Sequence, residues 1–185
     1  MDDLYQDQYR IASARLPGYD YGQSGAYFVT ICTKNRQPYF GSMEVPDGKW
    51  DDAFLRPTNL GEKAIECWAA IPQFAPFVRL DAFVLMPDHV HGVLLFNKDE
   101  ADVVPLLNYE NRFGPQSRNL ASVLRGFKSA VTTHARHRGL EFQWQARFHD
   151  RVVRSEMELK KIRNYIVTNP FRWEKEYDNG EGLYR

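Results

Sequence analysis

Cysteine is scarce in this sequence: Cys32 and Cys67 stand alone, far apart and outside any metal-ligand spacing. That argues against a disulfide framework or a cysteine-built zinc site, and fits two free thiols in a reducing compartment. Long apolar runs are missing too. The longest lies near Phe83–Met86, far too short to cross a bilayer. The chain opens Met1-Asp2-Asp3, with neither the basic nor the apolar region of a signal peptide. A soluble, cytoplasmic protein is expected. Net charge is absent as well, 24 basic residues balancing 24 acidic ones, so any affinity for a polyanion must come from local charge. What is plentiful is apolar and aromatic content, 43% and 14% of 185 residues. That supports a single folded domain over residues 1–185 with a sizeable core.

The charge is unevenly distributed. Between Arg112 and Arg154 nine lysines and arginines face only two acids, Glu141 and Asp150. Segregation of this kind is the footprint of a nucleic-acid partner. It is equally compatible with a solvated surface whose charges pair elsewhere in the fold.

No repeat or low-complexity tract interrupts the chain. Residues 1–24 read as an irregular arm and 97–118 as a surface loop containing Pro105, Gly114 and Pro115. Tyr27–Thr33 is rich in β-branched and aromatic residues, as a strand requires, and a turn region with Pro46, Asp47 and Gly48 follows. Thr58–Ala70 spaces Leu60, Ala64, Ile65 and Trp68 as a helix does. Phe77–Met86 and His89–Phe96 are strand-like and separated only by Pro87-Asp88, which implies an antiparallel hairpin. Asn119–Arg138 reads as a helix, and Phe142–Val153 as one or two short strands. Ser155–Thr168 reads as a helix opened by the capping box Ser155-x-x-Glu158 and closed by Asn169-Pro170. This order predicts an α+β fold: an antiparallel sheet with helices packed on one face, ferredoxin-like or RRM-like, and the other face open for a site.

Residues i and i+2 of a strand share a face, so His89 and His91 place two imidazoles side by side. Such a pair suits a divalent metal, although alone it reads equally as a satisfied structural pair. Asp88 has the opposite parity and makes a poor third ligand; Gly92 leaves room beside the pair. On the last helix Tyr165 and Asn169 are four apart and so share one side, at the border of core and solvent. An amphipathic tyrosine at a core boundary and a helix-ending asparagine would look the same.

The conjunction of these motifs resembles the REP-associated tyrosine transposases, single-tyrosine members of the HUH endonuclease superfamily. The matching blocks run through nearly the whole chain, in order. They are Arg15-Leu16-Pro17-Gly18-Tyr19-Asp20-Tyr21, Tyr27-Phe28-Val29-Thr30-Ile31-Cys32-Thr33, Met86-Pro87-Asp88-His89-Val90-His91-Gly92, Gly126-Phe127-Lys128-Ser129, Trp144-Gln145 through Phe148-His149-Asp150-Arg151, and Tyr165-Ile166-Val167-Thr168-Asn169-Pro170. The resemblance implies that His89 and His91 form the metal site, that Tyr165 is the nucleophile, and that Asn169 completes the metal shell, where many single-tyrosine relatives have glutamine. It also implies Mg²⁺ or Mn²⁺ as cofactor, and hairpin-bearing single-stranded DNA of REP type as partner. The expected activity is cutting and rejoining of single-stranded DNA through a 5′-phosphotyrosine. The protein would be nucleoid-associated when bound to DNA; monomer and homodimer both remain open.

A phenol, with an ordinary pKa of about 10, needs help to attack at neutral pH. An anchored phosphate, a metal and in-line geometry would supply it. Arg125, Lys128 and Arg136 on the basic helix, with Arg15 and Arg151, are the expected DNA contacts, and Tyr19 and Tyr21 could stack on a hairpin. Two rival readings stand beside this one. One is a non-catalytic single-stranded nucleic-acid-binding module of RRM-like fold. The other is a water-using metal hydrolase with His149 or Asp150 as a further ligand.

Overall fold

A computed structural model describes residues 19–98 and 117–179 of the chain; Arg15 and most of the arm and the loop lie outside them. The elements run β1 (Gly25–Cys32), β2 (Gly41–Glu44), β3 (Phe54–Pro57), α1 (Asn59–Ala69), α2 (Ile71–Phe74), β4 (Val78–Met86), β5 (His89–Phe96), α3 (Leu120–His137), β6 (His149–Val153) and α4 (Glu156–Asn179). Four strands form an antiparallel sheet in the order β4-β5-β1-β6. The turn region around Pro46 proves to connect a small second hairpin, β2 with β3.

The two-residue turn Pro87-Asp88 closes the β4–β5 hairpin with Met86 paired to His89. Its tip is tied down on both sides. Thr33 N donates to the Asp88 carbonyl at 2.9 Å and Phe40 N to that of Pro87 at 3.0 Å. The strand carrying the histidines therefore begins at a fixed point.

Strand alternation divides the side chains into two sets. Tyr27, Val29, Ile31, Val90, Leu94 and Leu85 face α1 and α3 and make the larger core. Helix α1 starts where Thr58 Oγ1 accepts from Gly61 N, and it buries Leu60, Ala64 and Trp68 at four-residue spacing. Helix α3 is capped by Asn119 and Ser122 reciprocally and buries Leu120, Val123, Leu124, Phe127 and Val131. Each such side chain contributes roughly 1.5–3 kcal/mol by leaving water. Gly92 belongs to this set, not to the histidine side: a Cβ there would overlap the Trp68 indole. Tyr21 is also part of this core, packed with Tyr19 and Tyr27, so these rings brace the sheet, with Tyr19 half-buried.

The expectation of helices on one face describes α1 and α3; α4 crosses the other. Leu159, Ile162, Tyr165 and Ile166 pack there on Phe28 and Val93. Two charge contacts hold it. Arg163 grips Asp81 with Nε and Nη2 at 2.7 Å each, beside an irregularity in β4, and Glu158 accepts from Arg151 Nε at 2.6 Å. Nor does α4 end at Asn169. It runs on through Pro170 to Asn179. Proline costs the helix one hydrogen bond, but tertiary contact can outweigh its bias, and here Trp173 stacks on the His89 ring, centroids 5.9 Å apart.

Candidate active site

On the α4 side of β5, His89 and His91 are both buried and their Nε2 atoms lie 3.0 Å apart. Each ring is held from behind through its other nitrogen. His89 Nδ1 lies 2.6 Å from Asp88 Oδ1, and His91 Nδ1 lies 2.8 Å from Thr30 Oγ1, its cross-strand neighbour on β1. A carboxylate only accepts, so His89 carries its proton on Nδ1 and presents a lone pair at Nε2. The Thr30 hydroxyl can donate or accept, so His91 is free to do the same or to donate from Nε2 to His89.

The electrostatics keep both rings neutral. Burial pushes each imidazole well below its ordinary pKa; Arg36 adds to this for His89, and His89 and then Arg36 do so for His91. Asp88 is pushed the other way, to about 6, by burial, with Arg36 opposing. The Arg36 Nε lies 2.8 Å from Asp88 Oδ2, and its Nη1 donates to Cys32 Sγ at 3.0 Å. Asp88 is thus spent on holding the His89 ring and on Arg36, a reach that a parity argument alone misses.

Helix α4 completes the cluster. The Tyr165 hydroxyl lies 3.3 Å from His91 Nε2, its ring also meeting Phe28, and the fully buried Asn169 side chain interacts with the His89 ring. The four residues singled out on the sequence are therefore one constellation. Thr30, Arg36 and Trp173 join it unannounced.

Other expected contacts lie elsewhere. Helix α3 covers the opposite face of the sheet, so Arg125 and Arg136, both exposed, are on the far side from the histidines. Lys128 is not exposed like a phosphate contact. Its Nζ donates to the Gln145 carbonyl at 2.7 Å and lies 5.7 Å from the Trp144 ring centroid. Arg151 is on the histidine side, at the β6 edge. Asp150 shares the parity of Val29 and faces the other way. His149 is exposed and separated from His91 by Thr30, roughly 10 Å at sheet spacing. Among the described residues neither groups with the pair as a third metal-ligating side chain. Both cysteines are free thiols, and no described helix is long and apolar enough to cross a membrane.

The fold, an antiparallel sheet with helices on it, has a solved counterpart. The structure of a REP-associated tyrosine transposase bound to a REP hairpin superposes with a TM-score of 0.55 at 16% identity, over 86% of this chain and 73% of that one. The chain thus has the fold of a tyrosine transposase. By sequence it belongs to the family of an uncharacterized protein of Haemophilus influenzae. That protein is 35% identical over 169 residues, which span 89% of this chain and 90% of the relative. No family model matches this chain.

Proposed function

We propose that this protein is a metal-dependent single-stranded DNA endonuclease and strand transferase that works through Tyr165. The observation that carries the reading is the convergence of three groups at one point: two neutral imidazole Nε2 atoms 3.0 Å apart and a phenol 3.3 Å from one of them.

The donor set fits a divalent cation. Ligands at right angles on an octahedral ion with bonds of about 2.1 Å are about 3.0 Å apart, the spacing of the two Nε2 atoms. Among the described residues no third His, Cys, Asp or Glu joins them, so the further protein donor would be the Asn169 amide, leaving positions for water and phosphate. Mg²⁺ or Mn²⁺, when bound, would draw charge from the phosphoryl oxygens. Tyr165 would then attack phosphorus through its phenolic oxygen, lose its proton, and displace the 3′ oxygen, which leaves as a 3′-hydroxyl after protonation. The 5′-phosphotyrosine conserves the bond, so attack by another 3′-hydroxyl rejoins strands without ATP. Asp88 and Thr30 would hold the rings in aim throughout.

His89, His91 and Asn169 are fully buried. A phosphate reaches them only if covering groups move; Trp173, stacked on His89, is one such group, and Pro170 just before it is where α4 yields most easily. The same coverage weighs against an RRM-like binding module, whose sheet face must be open for bases to stack. Hairpin DNA is the proposed partner, by analogy with the REP hairpin in the solved counterpart.

The test is incubation with an end-labelled, hairpin-bearing single strand, with Mn²⁺ or with EDTA, followed by a denaturing gel. A covalent protein–DNA adduct that needs the cation, plus an extendable 3′ end, is expected. Cut strands without attached protein would assign the nucleophile to water, and binding without cutting would assign the fold to a passive module.

A further inference from the structure

Where β1 runs past Cys32, the sheet continues for a few residues against 143–145. Lys34 N donates to the Gln143 carbonyl and Gln145 N to that of Cys32, both at 2.9 Å, with Thr33 bridged to Trp144. A pocket of about 490 Å³ opens here, lined by Lys34, Asn35, Arg36, Gln143, Trp144 and Gln145 among others. Lys34 shares the parity of Cys32, so the pocket belongs to the histidine side of the sheet.

Its parts are specific. Lys34 Nζ donates to Gln143 Oε1 at 2.7 Å, which fixes that amide and leaves its NH₂ to meet an acceptor. Gln145 is exposed, its carbonyl pinned by Lys128. Trp144, between the two glutamines and of opposite parity, anchors the segment from behind: its indole N–H donates to Lys128 O at 3.1 Å and its ring packs on Phe40, Phe127 and Phe142. Asn35 and Arg36 are consecutive left-handed residues, φ 53° and 55°, a conformation arginine rarely adopts. Strain of this kind collects at binding sites. It brings Arg36 onto Asp88, which holds His89, while 39% of the arginine side chain stays exposed.

We propose that this pocket receives one unpaired nucleotide of the DNA strand, adjacent to the phosphate handled at His89, His91 and Tyr165. The proposal rests on the functional reading above. Lys34 and Arg36 take the nucleotide's phosphate, and the Gln143 and Gln145 amides take the edge of its base, the contacts such side chains make with nucleobases. The volume suits a small ligand, and Arg36 ties its occupancy to the orientation of His89.

The test uses the full-length protein and Gln143→Ala/Gln145→Ala, whose exposed side chains empty no core. Fluorescence anisotropy is read with a short labelled single-stranded oligonucleotide and with an abasic one of equal length. The wild type should prefer the oligonucleotide with bases; the variant should bind that probe about 10-fold more weakly and lose the preference. Covalent adduct formation is read in parallel for both proteins at saturating DNA. Equal affinity of the two proteins for the base-bearing probe, or no binding by the wild type, overturns the pocket. Adduct formation with pocket-indifferent binding removes this inference and leaves the catalytic reading standing. Pocket-dependent binding with no adduct in either protein upholds the pocket and removes the catalytic reading.

Discussion

The two faces of the sheet are built on different terms. Under α1 and α3 the contacts are Val29, Ile31, Val90 and Leu94 against Leu60, Trp68, Leu124 and Val131, a core in which volume and pattern suffice. Under α4 the same strands contribute Thr30, His89 and His91, and the helix answers with Tyr165 and Asn169. Burying those polar groups is costly unless each has a partner. The arrangement is thus specified atom by atom, from Asp88 Oδ1 on one ring to Thr30 Oγ1 on the other. One face holds the sheet together; the other is held in shape by it.

Removing volume from the first face should produce the largest effect. Leu94→Ala, at a position with no exposure, should cost about 2–5 kcal/mol in urea unfolding, with adduct yield per folded molecule unchanged. A catalytic loss larger than the loss of folded protein would mean the faces are not separable.

His89→Ala/His91→Ala should do the reverse. The fold should persist, but the stabilisation by Mn²⁺ in thermal unfolding should vanish; for the wild type it should approach about 2.7 kcal/mol at 100-fold excess over Kd. Undiminished stabilisation would place the cation elsewhere.

Acid should act through the second face. With both histidines depressed in the folded state, the unfolded chain takes up two protons below its ordinary histidine pKa of 6.5 that the folded chain refuses. Stability therefore falls as pH drops below 6.5. Asp88 runs oppositely: raised to about 6, it is protonated when folded and ionised when unfolded between about pH 6 and 4. The net is one proton, or about 1.4 kcal/mol lost per pH unit across that window. Urea midpoints at pH 7.5 and 5.5 in EDTA check it, and a flat or rising profile would refute the depressed histidines.

The smallest effect is expected from Arg125→Ala/Arg136→Ala on α3. Since that helix covers the far face, adduct rates should change by no more than about twofold. A tenfold loss would show that DNA also wraps the helix side.

Much of this was legible locally. The hairpin follows from Pro87-Asp88, the histidine pair from a two-residue period, and the Tyr165–Asn169 alignment from a helical one. What stayed hidden depends on contacts distant in sequence. Thr30 meets His91 only through the register of β1 against β5. Arg36 reaches Asp88 because its backbone is left-handed, which no propensity of arginine announces. The basic stripe of α3 was visible as charge, but charge carries no information about which face of a sheet a helix will cover. Asn169-Pro170 looked like a stop because the packing of Trp173 on His89 lies beyond it.

The central claim, that the polar face exists to present a nucleophile, is tested most directly by Tyr165→Phe. The change removes one hydroxyl and its 3.3 Å contact with His91, so stability should fall by no more than about 1 kcal/mol. Mn²⁺ binding and affinity for the hairpin-bearing strand should be retained. On a denaturing gel beside the wild type, the variant should show no covalent protein–DNA adduct at all. An adduct of undiminished yield in Tyr165→Phe would contradict the account and assign the attack to another residue.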